Sequence, residues 1–150
     1  MKVSIVVATA GRTTELMRLL SSIKKHTRGI GYEIVIVAPR NKALSVKALS
    51  LLSRSPCRLV WEDAPDGCVK AFNLGFRAAR GRFIVHLNDD CEVTAGWLKN
   101  MLTLIGHRKV QGAFYLSEPD REGFVTNVIF DKLYANFGCM RRDLMGKLGF

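Results

Sequence analysis

Three short runs dominated by Val and Ile constrain this chain most: VSIVVA near the start, YEIVIV from Tyr32 and FIVHL from Phe83. They lack the clean apolar–polar alternation of a strand with one wet face. Each reads as a strand buried on both faces, the pattern of a parallel sheet layered between helices. The intervening segments carry the helical period. Thr13 is placed to cap a helix through which Leu16, Leu19, Leu20 and Ile23 recur, and Gly29 and Gly31 end that unit. Pro39 closes the second strand. Residues 43–54 read as a second helix with Leu44, Ala48, Leu51 and Leu52 inward, and residues 57–61, after Pro56, as a short strand. An acidic loop, 62–67, leads into a helix over 68–80 that Gly81 would end as a C-cap glycine. Residues 82–87 are the fourth strand, and Thr94 would cap a helix running to Ile105. Residues 110–116 and 124–130 read as strands joined by the polar loop SEPDREG, 136–140 as a last short strand and 141–148 as a last helix. This alternation predicts an α/β domain with a mainly parallel sheet. With no repeat, linker or low-complexity segment, the 150 residues predict one domain over 1–150.

No apolar run approaches the roughly 18 residues that would span a bilayer. The opening MKVSIVVATAGR is short, β-branched and closed by Thr9, Gly11 and Arg12, unlike a signal peptide. A cytoplasmic protein is the expectation. The four cysteines, Cys57, Cys68, Cys91 and Cys139, are far apart with no C-x-x-C pair, so free thiols are expected rather than a zinc site. The net charge of +10 is spread along the chain and favours anionic partners, namely phosphates, nucleic acid or an anionic membrane surface.

Against that charge, the stretch FIVHLNDDCEV places Asn88, Asp89, Asp90 and Glu92 at the end of a buried strand. In open α/β sheets, ligands bind beyond the carboxyl ends of the strands. The acidic stretch would lie there, beside residues 9–12, 39–42 and 62–67. Clustered carboxylates repel unless a cation compensates. Mg²⁺ and Mn²⁺ take oxygen ligands and bridge carboxylates to phosphates. On residue type alone, a turn with solvated, helix-capping acids weighs equally; the rim position favours the metal. In DGCVKAFNLGFRAARG, Gly67 lets backbone amides approach a ligand at a helix start, and Lys70, one turn in, is placed to reach a phosphate. An ordinary amphipathic helix is the plainer reading of that segment alone. Asn73 and Gly75 are poor helix formers there, which points to close packing or a specific contact. Phosphate-loop, dinucleotide and nucleophile-elbow signatures are absent from the sequence. His86, inside a strand, reads as a sheet-face histidine, and Trp97 as packing.

Taken in order, these segments resemble the family 2 glycosyltransferases, which use the GT-A fold. VSIVVATAGRTTELMRLLSSI resembles the opening strand, loop and helix, and YEIVIV the second strand. The match is most specific over DGCVKAFNLGFRAARGRFIVHLNDDCEVTAGWLKNML, and NFGCMRRDLMGKLGF resembles a later segment. The resemblance implies a Rossmann-like sandwich and a nucleotide-diphosphate sugar donor bound across the rim. Ala8, Thr9 and Arg12 would lie along the nucleotide, Asp63 or Asp66 near the base or ribose, and Gly67 and Lys70 toward the diphosphate. Asn88-Asp89-Asp90 takes the place of the family's D-x-D motif, with Asp90 as the direct ligand of Mn²⁺ or Mg²⁺. The acid the family often carries after its second strand, near the base, is replaced here by Ala38-Pro39-Arg40-Asn41. Inverting members draw a general base from an acid beyond the LGF segment. Glu118, Asp120 and Asp143 do not match it, so no catalytic residue is assigned. The resemblance implies a metal-dependent glycosyltransferase that moves the sugar from this donor to an acceptor, in a chain cut before that segment or completed by a partner; the alternative expectation is a non-catalytic relative that binds nucleotide sugars. The acceptor, whether a saccharide, a lipid-linked molecule or a protein, is not assigned. Peripheral membrane association and a homodimer formed through an open sheet edge are further expectations. A nucleic-acid-binding role is disfavoured, because Asp89, Asp90 and Glu92 would repel a phosphate backbone.

Overall fold

The computed structural model describes residues 2–40, 56–64, 66–106, 112–114, 127–129, 132–134 and 138–147. The elements in chain order are β1 (Val3–Ala8), α1 (Thr13–His26), β2 (Tyr32–Pro39), β3 (Cys57–Glu62), α2 (Gly67–Ala78), β4 (Phe83–Asn88), α3 (Trp97–Gly106), β5 (Gly112–Phe114), β6 (Asn127–Ile129), β7 (Lys132–Tyr134), β8 (Gly138–Arg141) and α4 (Arg142–Lys147). The main sheet has the order β3-β2-β1-β4-β8-β5, and β6 pairs with β7 separately. β1 to β4 are mutually parallel; β8 runs antiparallel to β4, and β5 antiparallel to β8. The mainly parallel α/β sheet expected from the sequence is therefore the one observed.

The Val/Ile runs are buried on both faces because a helical layer covers each face. Val3, Ile5 and Val7 of β1 join one core with Leu16, Leu19 and Ile23 of α1 and Trp97, Leu98, Met101 and Ile105 of α3. Val6, Val35 and Ile84 join a second core with Phe72 and Phe76 of α2 and Met145 of α4. Fully burying each such side chain stabilises by about 1.5–3 kcal/mol. The mid-helix Gly75 is explained by this packing. A Cβ there would lie far inside contact with Val6 Cγ1 and 3.1 Å from Val37 Cγ2, so α2 can press its backbone onto the sheet. His86 sits half-buried with its ring edge-on to Phe72 and Phe76, and Trp97 is buried with Nε1 donating to Thr27 Oγ1 at 2.9 Å. Among the described residues, no helix is long and apolar enough to cross a membrane.

Three local expectations are corrected. Thr13 does not cap α1. Arg12 occupies the N-cap position with no side-chain cap bond, since a guanidinium has only donors and cannot accept from the first-turn N–H groups; it is turned instead to the acids after β4. Gly81 is not a C-cap glycine. α2 ends at Ala78, Ala79 takes the C-cap in an extended conformation, and Gly81 instead packs against the backbone of β1. α3 begins at Trp97, whose N–H donates to the Thr94 carbonyl at 3.3 Å, a few residues later than Thr94 capping implies. β7 was not legible as a strand. The expected helix over 43–54, the loop SEPDREG, and the acids Glu118 and Asp120 lie outside the described residues.

Candidate functional site

The parallel strands end nearly flush. Ala8 pairs with Val37 on one side and Asn88 on the other, and Pro39 pairs with Glu62. From β1 the chain builds outward through β2 and β3, then crosses by α2 to β4 on the opposite side of β1. The order reverses between β1 and β4, and a crevice opens at the carboxyl ends of strands at such a point. Thr9 follows β1 and Asp89 follows β4, so the register itself brings them together across 80 residues of sequence.

Asp89 is 1% exposed. Thr9 Oγ1 donates to its Oδ2 at 2.6 Å, Arg12 Nε donates to the same oxygen at 3.3 Å, and Arg12 Nη2 donates to Oδ1. The Gly11 N–H closes the turn onto Thr9 Oγ1 at 3.2 Å, with Gly11 at φ 89°, a conformation glycine adopts without strain. Leaving a buried carboxylate without its partner costs about 3–5 kcal/mol, so this cluster is rigid. The hydrogen bond to Asp89, then the Asp89 charge, hold the Arg12 pKa above its ordinary value, with Asp90 adding to the effect against some loss from burial. The cation that compensates the acids in the free chain is therefore Arg12.

Asp90 differs from its neighbour. Its side chain is 48% exposed, and Arg12 Nη1 reaches its Oδ2 at 3.1 Å. An ion pair open to water contributes little, so a stronger cation can take Asp90 from Arg12 without disturbing Asp89. Cys91 Sγ donates to the Asn88 carbonyl at 2.9 Å and tightens the turn. Burial, and then the nearby Asp90 charge, push the Cys91 thiol up to about 12.

A cavity of about 410 Å³ opens on this rim. Of the residues singled out from sequence, it brings together Ala8, Thr9, Arg12, Gly67, Asn88 and Asp89. Asp63, Asp66, Lys70 and Asp90 are not among its lining residues. Asp63 accepts a hydrogen bond from Arg40 Nε at 2.6 Å, and Lys70 pairs with Asp66 one helical turn away. The cavity also takes in Ala10, Pro39, Glu62, Cys68, Ala71 and Phe72, which sequence reasoning did not single out. Cys68 and Gly67 stand at the first turn of α2, so the start of that helix faces the cavity.

The donor set at the acidic turn suits a hard divalent cation: Asn88 can offer an amide oxygen, and Asp90 an exposed carboxylate. Among the described residues, no group of three or more His, Cys, Asp or Glu could hold a metal ion alone. Such a cation would draw its remaining oxygen ligands from substrate and water, as Mg²⁺ commonly does.

This layered sheet with a rim pocket at its switch point is the GT-A architecture of glycosyltransferases, and solved structures share it. A mannosyltransferase from Pyrobaculum calidifontis, solved with GDP-Man and Mn²⁺, superposes at a TM-score of 0.80 with 19% identity, over 99% of this chain and 46% of that one. TarS 1–349 of S. aureus, solved with UDP-GlcNAc, superposes at 0.78 with 17% identity, over 99% of this chain and 47% of that one. The chain belongs to glycosyl transferase family 2, which it matches over residues 4–145. A dolichol-phosphate mannosyltransferase of Pyrococcus furiosus is 30% identical over 93 residues, covering 61% of this chain and 26% of that protein. The chain thus spans about a quarter of that relative's length and somewhat under half of the solved ones.

Proposed function

We propose that the chain binds the donor in a metal-dependent glycosyl transfer, taking a nucleotide-diphosphate sugar into the rim cavity. The observation that carries this reading is the division of labour between adjacent acids. Asp89 is buried and shapes the site, whereas Asp90 is exposed and weakly held beside it. Asn88 and Asp90 would hold Mn²⁺ or Mg²⁺, which supplies charge neutralisation for the leaving diphosphate. Arg12, released from Asp90 but still anchored on Asp89, would lie along the phosphates. The Gly67–Cys68 amides at the start of α2 would add the favourable end of a helix dipole. Lys70, paired with Asp66 at the surface, would need to leave that contact to reach the diphosphate, and an exposed pair resists this little. The sugars and nucleotides bound by the structural relatives support a nucleotide-sugar donor.

The thiols provide a direct test. Cys68 is exposed and lines the cavity. Cys91 and Cys139 have thiols pushed up to about 12, chiefly by burial, and stay protonated at pH 8. Iodoacetamide is expected to alkylate Cys68 well ahead of Cys91 and Cys139. A nucleoside diphosphate with Mn²⁺ at 100 times its Kd should slow that alkylation by about 100-fold. Peptide mass spectrometry reads both effects, and an unprotected Cys68 at saturating nucleotide would contradict donor binding in this cavity.

A further inference from the structure

Four acids along the rim have a cation. Arg12 holds Asp89 and Asp90, Arg40 holds Asp63, and Lys70 holds Asp66. Glu62 does not share in this pattern. It ends β3, is 6% exposed and lines the cavity, and its Oε1 is buried with no hydrogen-bond partner among the described residues. A buried carboxylate oxygen without a donor is unfavourable. A ligand that brings an N–H or O–H into the cavity would remove that penalty.

The surroundings narrow the ligand. Pro39 is the register partner of Glu62, and Ala71 and Phe72 line the same cavity. The acceptor therefore lies in a largely apolar slot, which suits the faces of a flat ring. A phosphate is excluded, because two anions would meet. Position separates base from ribose. In the order β3-β2-β1-β4, Glu62 lies three strand spacings, about 14 Å, from the strand that carries Asp90. With the diphosphate at Asp90, that distance is reached by the base and not by the ribose.

We propose that Glu62 reads the nucleobase of the donor and selects guanine; this inference rests on the donor-binding reading above. A carboxylate presents two acceptors and pairs best with two parallel donors. Guanine offers such a pair in N1–H and the N2 amine. Uracil offers one N–H between two carbonyls, and adenine an amine beside a ring acceptor, so each sets an acceptor against the carboxylate. Glu62 thus supplies, from the neighbouring strand, the acidic contact that Ala38-Pro39-Arg40-Asn41 does not provide.

Calorimetric titration in the presence of Mn²⁺ tests the assignment with GDP, UDP, ADP and inosine diphosphate, which lacks the N2 amine. On the unmodified chain, GDP should bind at least about tenfold tighter than UDP or ADP, and about tenfold tighter than inosine diphosphate. Glu62→Gln should weaken GDP by about 10- to 100-fold while changing UDP by less than about threefold. Equal affinity for GDP and inosine diphosphate overturns the proposal without recourse to any variant, and so does GDP binding that Glu62→Gln leaves unchanged. Binding that ignores the base overturns the role of Glu62 and leaves donor binding standing. Absence of binding by every nucleoside diphosphate overturns donor binding itself.

Discussion

Asp90→Ala is expected to abolish the stabilisation that Mn²⁺ and a nucleoside diphosphate together confer, while leaving the melting temperature of the free chain unchanged. A ligand at 100 times its Kd stabilises by about 2.7 kcal/mol. In a chain of this size that raises the melting temperature by roughly 5–10 °C. The loss follows from geometry: Asp90 is the exposed acid of the turn, and its contact with Arg12 is open to solvent. Removing it costs the free fold almost nothing, because pairs of that kind are screened. Where transfer can be measured, the variant should lose at least about 100-fold in rate, the scale of removing one group that stabilises a developing charge. A thermal shift that survives in Asp90→Ala would place the cation elsewhere.

Asp89→Ala separates the two acids by the opposite signature. Its carboxylate accepts from Thr9 and Arg12 while 1% exposed. Truncation leaves Thr9 Oγ1 without its acceptor and opens a void between β1 and β4. The free chain should melt several degrees lower, before any ligand is added. A scan that found both variants equally stable would contradict the assignment of Asp89 to scaffolding and Asp90 to the ligand.

How far these roles could be read from sequence depends on the range of the interaction. The layered sheet was legible because burial on both faces leaves a local mark: the runs around Ile5, Val35 and Val85 need no knowledge of their partners. The acidic turn was legible because Asn88, Asp89 and Asp90 are consecutive and follow a strand. The difference between Asp89 and Asp90 was not, since it arises from Thr9 and Arg12, some 80 residues away in sequence. Glu62 escaped notice for the same reason. Within an acidic loop it resembles Asp63 and Asp66, and only the β2–β3 register, which sets it beside Pro39, shows that it is buried. Glu33, an acid inside the second Val/Ile run, is likewise explained only by tertiary partners. Ser4 Oγ donates to its Oε1 at 2.6 Å, and the Arg80 N–H donates to the same oxygen at 2.7 Å. Mid-helix Gly75 did carry a local signal, because a glycine that lowers helix propensity implies a compensating contact.

The same polar group makes Gly81→Ala the most destabilising small substitution expected here. Gly81 sits where α2 turns into β4, against the start of β1. A Cβ added there would stand 2.5 Å from Ser4 N, 2.6 Å from Val3 C and 2.8 Å from Ser4 Oγ. Two of those atoms are backbone, so no rotamer change relieves the clash. Displacing the turn would also break the Gly81 N–H bond to Ser4 Oγ at 2.7 Å, leaving buried polar groups unpaired. Overpacking at about 1–3 kcal/mol and a lost buried hydrogen bond at about 1–3 kcal/mol add to roughly 2–6 kcal/mol. The melting temperature should fall by about 10 °C. Gly31→Ala, where a Cβ meets nothing within 4 Å, serves as the control and should change little. Gly75→Ala offers a sharper comparison, because its obstruction is the side chain of Val6. Adding Val6→Ala should recover part of the Gly75→Ala loss, whereas Ser4→Ala should recover none of the Gly81→Ala loss. Calorimetric melting of these variants checks both statements. Rescue of Gly81→Ala by Ser4→Ala would show that the hydroxyl, and not the β1 backbone, sets how closely the α2–β4 turn approaches. That approach delivers β4, in register with β1, to the rim where Thr9 meets Asp89.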